Sequence, residues 1–173
     1  MDRQKAQFLQ AVGRSDFARE AEEHFFAAMR QGYAADCVKG SLPDLPGSKS
    51  IEYTHDDWRV LDVYFVTVDS NWSAGSTTIW FMNRPVWIMQ YAGWYEEAAL
   101  PCLKAALADA YTRGDYVGGR GPEYFDYDSH ARYWNKVAKN CFTGLTQGEE
   151  EVESADGQSL GRHFYHAFWL VRR

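Results

Sequence analysis

Two carboxylates that lie two residues apart are the first feature that could do chemistry. Asp126 and Asp128 belong to the segment YFDYD, and a strand there would place both side chains on one face. Paired carboxylates can supply the acid and the base of a hydrolysis or an isomerisation. An exposed strand face with two acids is the commoner explanation. The acidic run EEEVE at 149–153 predicts a solvated edge or turn.

Two histidines three residues apart raise the question of a metal. On a helix, His163 and His166 would share one face, but the surrounding HFYHAFWLV is typical of a strand. A spacing of three on a strand places the two rings on opposite faces. Since carboxylates at ligand spacing are also missing, we expect no metal site and no cofactor. The remaining histidines, His24, His55 and His130, are expected to face solvent or to bond locally.

A glycine-rich segment, VGGRGPEY at 117–124, superficially resembles a phosphate-binding loop. It matches neither the P-loop nor the dinucleotide fingerprint, and it follows a predicted helix where those motifs follow a strand. Two interpretations stay open. The segment is either a structural Gly-Pro turn, which is the commoner case, or a tight turn that carries Arg120 toward an anionic group.

The segment WFMNRPVWIMQYAGWY at 80–95 is the densest aromatic stretch of the chain. Binding pockets are typically apolar with a few polar anchors. We therefore predict a ligand-binding wall of Trp87, Tyr91 and Trp94, with Arg120 and Tyr124 as polar contacts. We further expect helices to cover the face that carries Val86 and Ile88, which would leave Trp87 and Tyr91 on the open face.

The elements that must position these residues follow from the hydrophobic spacing. Apolar residues recur at helical intervals over 16–31 and 99–112, and the first ten residues or so favour a shorter helix. Alternating segments at 50–68 and 77–94 predict two hairpins, the second turning at 83–85, with a loop over 69–76. No internal repeat is evident. The expected fold is α+β, a single domain over 1–173: a curved, mainly antiparallel sheet of about five to seven strands with two main helices packed on it.

Composition and charge limit the partners. The formal net charge is -6, without a basic cluster, so direct nucleic-acid binding is not expected. The N-terminus lacks the apolar run of a signal peptide and no stretch is long enough to cross a bilayer, which predicts a cytoplasmic protein without membrane contact. The three cysteines, Cys37, Cys102 and Cys141, are expected to be reduced and mostly buried.

Several short motifs, in order along the chain, resemble those of an uncharacterised bacterial family. They are PGSKSIEY before the DVYF strand, PVWIMQYAGW before its helix, RGPEY with the later FTG, and EEEV before DGQSLGRHFYHAFW. The family is a domain of unknown function, found alone or fused behind an XRE-type helix-turn-helix, and the resemblance covers about 24–173. It implies a compact α+β fold and the sensing or partner-binding half of a regulator. It implies no catalytic residue.

Three functions from different classes follow as hypotheses. The first is a non-catalytic ligand-binding or regulatory domain for a small aromatic or apolar molecule, held in the aromatic pocket described above. The second is a protein interaction module that forms a homodimer through exposed aromatic side chains such as Trp72 and Trp94. The third is a small hydrolase or isomerase that uses Asp126, Asp128 or a histidine.

Overall fold

The computed structural model describes residues 3–33 and 39–171. It has three helices: α1 (Arg3–Val12), α2 (Phe17–Tyr33) and α3 (Leu100–Arg113). Apolar side chains at helical spacing bury one face of α2, as the sequence predicts. A single 3-10 turn, Glu97–Ala99, leads into α3, and Gly114 ends this helix at φ 73° in the left-handed region.

Eight strands form one sheet, in which all neighbouring strands are antiparallel. The predicted α+β class and antiparallel sheet are confirmed, but the predicted strand count of five to seven is too low. The order across the sheet is β1-β2-β3-β4-β8-β7-β6-β5. The strands are β1 (Ser48–His55), β2 (Trp58–Val66), β3 (Trp72–Phe81), β4 (Arg84–Tyr95), β5 (Tyr124–Asp126), β6 (Ala131–Lys139), β7 (Leu145–Glu153) and β8 (Ser159–Trp169).

The sheet consists of two similar halves. Strands β1 to β4 form one four-stranded meander and β5 to β8 another, and the two meet where β4 pairs with β8. The register in which β3 pairs with β4 matches the register in which β7 pairs with β8. Gly75 lies opposite Tyr91 in the first half, and Gly148 lies opposite Tyr165 in the second. The structure thus contains an internal repeat that the sequence does not reveal by inspection, because few residue types are shared between the halves.

The helices lie on one face of this sheet, with α2 on β1 and β2 and α3 on β5 and β6. This covered face carries Trp87, which is fully buried, together with Met89 and Tyr91. The expectation that Trp87 and Tyr91 lie on the open face is therefore wrong. The physical reason is that β4 is apolar on both sides, so its sequence does not indicate which side the helices cover. Val86, also buried, is the extra residue of a β-bulge next to Trp80.

Three local predictions also need correction. The loop predicted for 69–76 is shorter, because β3 begins at Trp72. The second hairpin turns at Met82 and Asn83, both with positive φ, instead of at 83–85. The acidic run at 149–153 is no solvated edge: it lies in β7, an interior strand, where Glu150 is only 1% exposed.

Among residues 3–33 and 39–171, no helix is long and apolar enough to cross a membrane. Cys102 is a buried free thiol in α3, and Cys141 is an exposed one. The prediction of mostly buried cysteines therefore holds for the first of these two and fails for the second. Cys37 lies outside the described residues.

Candidate functional site

A buried charge cluster lies on the covered face of the sheet, and we define it as Asp62, Arg120, Glu150 and His163. Each of these residues is less than one tenth exposed. Burying an ionised side chain is unfavourable unless opposite charges and hydrogen bonds compensate for the lost water. The partners of each member therefore indicate what the cluster can do.

The glycine segment between α3 and β5 positions the cation. Val117 and Arg120 form an isolated antiparallel bridge, and the residues between them, Gly118 and Gly119, have φ values of 67° and 70°. Only glycine adopts this left-handed pair easily. The turn is anchored because the Gly118 amide donates to Asn140 Oδ1 at 2.9 Å. As a result the Arg120 side chain enters the core with 7% of its surface exposed.

Arg120 lies where the two halves of the sheet meet. Tyr91 and Tyr165 are direct neighbours across the β4–β8 ladder. The guanidinium carbon is 4.8 Å from the centre of the Tyr91 ring and 5.8 Å from that of Tyr165. Both distances fall within the range of cation–π attraction, which is strongest where water is excluded. One cation is thus shared by two equivalent tyrosines.

Each of these tyrosines donates its hydroxyl to an acceptor on its own half of the sheet. The Tyr91 hydroxyl lies 3.0 and 3.1 Å from the two oxygens of Asp62, which also accepts from Thr77 at 2.6 Å. The Tyr165 hydroxyl donates to Asn135 Oδ1 at 2.6 Å. Asp62 and Asn135 occupy corresponding positions of the two halves, so the first half carries a carboxylate where the second carries a neutral amide.

Glu150 is the second anion of the cluster. Its Oε1 lies 3.6 Å from Arg120 Nη1, and its Oε2 accepts from the Tyr133 hydroxyl at 2.7 Å. Burial raises the pKa of Tyr133 well above its ordinary value, so this hydroxyl stays protonated and donates. Sequence analysis missed Glu150 by treating its acidic run as solvated. The available signal was the alternation of Gly148, Glu150 and Val152, which share one face of a strand.

His163 completes the cluster. Its ring lies against those of Tyr95, at 4.6 Å between centroids, and Tyr91, at 5.9 Å. Its Nε2 is 3.1 Å from Ser73 Oγ and its Nδ1 is 3.9 Å from Glu150 Oε1. His166 lies on the opposite, exposed face, which confirms the prediction that the two rings point apart.

Successive contacts run from Ser73 to His163 and on to Glu150. These are the residue types of a serine nucleophile, its base and an orienting acid. Its geometry is that of a structural contact. The separation of 3.9 Å between imidazole and carboxylate exceeds a hydrogen bond, and burial lowers the pKa of His163 to about 4. A base with so low a pKa takes up a proton poorly at neutral pH.

Acidification is expected to destabilise the protein through His163. Its folded-state pKa of about 4 lies below the value of about 6.5 in an unfolded chain. Between these pH values the unfolded chain binds more protons than the folded protein. The contribution of His163 to the free energy of unfolding is therefore fully present above about pH 6.5 and is lost as the pH falls toward 4. Lowering the pH from 7 to 5 should cost about 2 kcal/mol, measured by urea denaturation.

The variant His163→Asn should lose most of this pH dependence, whereas His166→Asn, on the exposed face, should keep it. Burial also lowers the pKa of His24, which accounts for a smaller remaining dependence. An unchanged pH dependence in His163→Asn would show that His163 is not neutral and buried as described.

A narrow space borders the charge cluster on the side of Asp62 and Thr77. As it stands, the space leaves no room for a water molecule. Polar and aromatic groups meet there, with methionines between them. The lining residues are Phe25, Met29, Asp62, Thr77, Met89, Tyr91, Tyr111, Gly119 and Arg120.

Of the five residues predicted to bind a ligand, the structure brings two together, Tyr91 and Arg120. Trp87 packs deeper in the core, where it stacks on Phe142 at 5.3 Å. Trp94 alternates to the opposite face of β4, where it pairs with Trp72. Tyr124 lies on β5 at the far edge of the sheet. The five residues therefore do not line one surface.

The paired carboxylates of the YFDYD segment lie elsewhere and do not share a strand face. Strand β5 ends at Asp126, and Asp128 belongs to the following turn. Asp126 accepts hydrogen bonds from the Ser129 hydroxyl and the Asp128 amide, and the Ser129 bond lowers its pKa. This is the pattern of a solvated Asx turn. The arrangement needed for paired acid–base catalysis is therefore not formed.

The chain matches no protein-family model, no curated protein and no solved structure. The resemblance to the bacterial domain family therefore stays a prediction, and the function has to be argued from the site itself.

Proposed function

We propose that this protein is a binding domain for a small aromatic or apolar molecule that carries one hydrogen-bonding group. The observation that supports this most directly is the convergence of Asp62, Tyr91 and Arg120 on one narrow space between helices and sheet. Aromatic walls with a few convergent polar groups are the usual composition of a ligand site.

The energetics of burial support the same proposal. Replacing buried ion pairs by well-packed apolar residues is often neutral or stabilising, so a charge cluster inside a domain core calls for another reason. Recognition of a polar group is one such reason, because buried charges interact strongly and with defined geometry. Arg120 carries donors and Asp62 carries acceptors, and both residues line the space.

The lining residues suggest how a ligand would enter. Phe25 and Tyr111 supply rings from α2 and α3, and Met29 and Met89 lie beside them. Methionine is unbranched and adapts its shape readily. Displacement of these two side chains would open the space next to Arg120, so the proposed site is closed without a ligand and opens on binding.

Binding is favoured over the hydrolase or isomerase hypothesis by the geometry of the titratable groups. The Asp126 carboxylate at the end of β5 is bonded to the Ser129 hydroxyl and the Asp128 amide of the following turn, and His163 is a weak base because burial lowers its pKa to about 4. The serine that contacts His163, Ser73, lies within a regular strand and not on the sharp turn that presents a nucleophile.

Thermal-shift measurements with benzoate, benzylamine, benzyl alcohol and indole should identify a stabilising ligand class. A molecule that binds only the folded state raises the melting temperature with its concentration. The variant Thr77→Val removes a hydroxyl that lines the space and bonds Asp62, and it should weaken binding at least about tenfold.

Thr78→Val is the matched control, since Thr78 is also buried but points to the opposite face of β3. It should bind as the wild type does. The proposal fails if none of the four probes, which span both charges and the neutral case, stabilises the protein. It also fails if the two threonine variants lose binding equally.

A further inference from the structure

The sheet face opposite the helices remains open. It is built from alternate residues of β2, β3, β4 and β8, which are neighbours in the sheet. Four large aromatic side chains on it are 42 to 62% exposed. We define the open face by these four, Phe65, Trp72, Phe164 and Phe168, and by three neighbours on the same face, Ala74, Ala92 and Trp94.

We propose that the open face is an interface with a second copy of this chain. A monomer that left the face uncovered would expose a contiguous apolar patch, which is unusual for a soluble protein. The proposal does not rest on the ligand site, because the two lie on opposite faces of the sheet.

The shape of the open face is self-complementary. One row across the sheet reads Phe65, Ala74, Ala92, Phe164 on adjacent strands. The two alanines form a shallow hollow between the two phenylalanine rings. The phenylalanines lie three strands apart, so their backbones are about 14 Å from each other at a strand spacing of ~4.8 Å. A twofold interface requires projections and hollows on the same surface. Phe164 of one copy can therefore occupy the alanine hollow of the other.

Charge also favours a second copy. The chain carries a formal net charge of -6, so most of its surface repels an identical chain. On the open face the charged side chains are paired, Arg59 with Glu52 and Arg162 with Glu151. The residues between them are polar and carry no carboxylate, guanidinium or ammonium group: Ser76, Thr78, Gln90 and His166, the last two hydrogen-bonded at 2.9 Å. This face is thus where two copies approach with little repulsion.

The size of the face permits a dimer. The four strands of the open face, at ~4.8 Å spacing and with about ten residues each at ~3.3 Å, span a plane of roughly 600 Å². Specific interfaces bury from about 600 Å² on each partner, so the open face lies at the lower end of their range. Two such sheets would pack face to face about 10 Å apart, as in a β-sandwich.

Light scattering coupled to size-exclusion chromatography tests the proposal. We expect the full chain to elute as a dimer at micromolar concentration, and Phe164→Lys to elute as a monomer with unchanged far-ultraviolet circular dichroism. Lysine at this position faces Glu149 across the ladder, so the monomer should stay folded. Tyr127→Lys is the control, because Tyr127 is 81% exposed but lies in the turn after β5, away from the open face.

A second variant tests the hollow without a change of charge. Ala92→Gln should weaken the dimer at least about tenfold by filling the space that Phe164 of the other copy would occupy. A monomeric wild type would overturn the proposal, and so would a dimer that Phe164→Lys and Ala92→Gln leave intact. Flotation of a monomeric wild type with phosphatidylcholine vesicles would also overturn it, since a lipid surface would then cover the face.

Discussion

Arg120→Met is expected to destabilise the protein by about 3–5 kcal/mol. Methionine preserves much of the apolar volume, so the loss comes from leaving Glu150 buried without its cation. It also removes the cation that lies over Tyr91 and Tyr165. Urea denaturation at pH 7, followed by tryptophan fluorescence, measures the change.

Arg59→Met is the matched control. Arg59 also pairs with a glutamate, Glu52, at 2.7 Å, and lies over an aromatic ring, that of Trp80, at 5.0 Å. Because this pair is exposed, its loss should cost at most about 1 kcal/mol. The double variant Arg120→Met/Glu150→Gln should recover part of the loss, since it removes one of the uncompensated charges. Equal effects of the two arginine variants would contradict the buried-charge description.

Gly75→Ala and Gly148→Ala should each destabilise the protein by about 3 kcal/mol, although alanine is the smallest possible addition. A β-carbon at Gly75 would lie 2.5 Å from the Val63 carbonyl oxygen and 2.7 Å from the Tyr91 hydroxyl. One at Gly148 would lie 2.4 Å from the Tyr165 hydroxyl and 2.8 Å from the Lys136 carbonyl oxygen. Each change adds overpacking and displaces a tyrosine hydroxyl from its acceptor.

The two glycine variants are also the sharpest test of the internal repeat, because similar losses are expected at equivalent positions of the two halves. Gly13→Ala serves as the control, since a β-carbon there would meet its neighbours no closer than 3.5 Å. It should change stability little. Thermal unfolding of the three variants makes the comparison. A near-neutral result at either Gly75 or Gly148 would mean that its tyrosine does not approach the backbone as described.

Much of the local structure could be predicted from the sequence. The periodicity of Phe17, Ala21 and Phe25 determines the buried stripe of α2, and Gly114 the end of α3. The spacing of His163 and His166 on a strand suffices to place their rings on opposite faces. These features depend on residues close together in the chain, where the geometry of one helix or strand is enough.

The candidate site could be predicted only in part. One interpretation of the glycine turn is that it carries Arg120 toward an anionic group, and this group is Glu150, thirty residues along the chain. Nothing local distinguishes Glu150 from its acidic neighbours: Glu149 is half-buried, and Glu151 pairs with Arg162 on the open face. Its burial depends on β7 lying between β6 and β8, and therefore on long-range pairing.

The sequence by itself determined the main helices, the antiparallel hairpins of the first half and the glycine turn that carries Arg120. Only the tertiary structure decided which face of the sheet the helices cover, that two meanders meet at Tyr91 and Tyr165, and that Arg120 lies between them. The physical reason is that a strand apolar on both sides carries no information about which neighbour covers it. That choice is made by the packing of the whole chain.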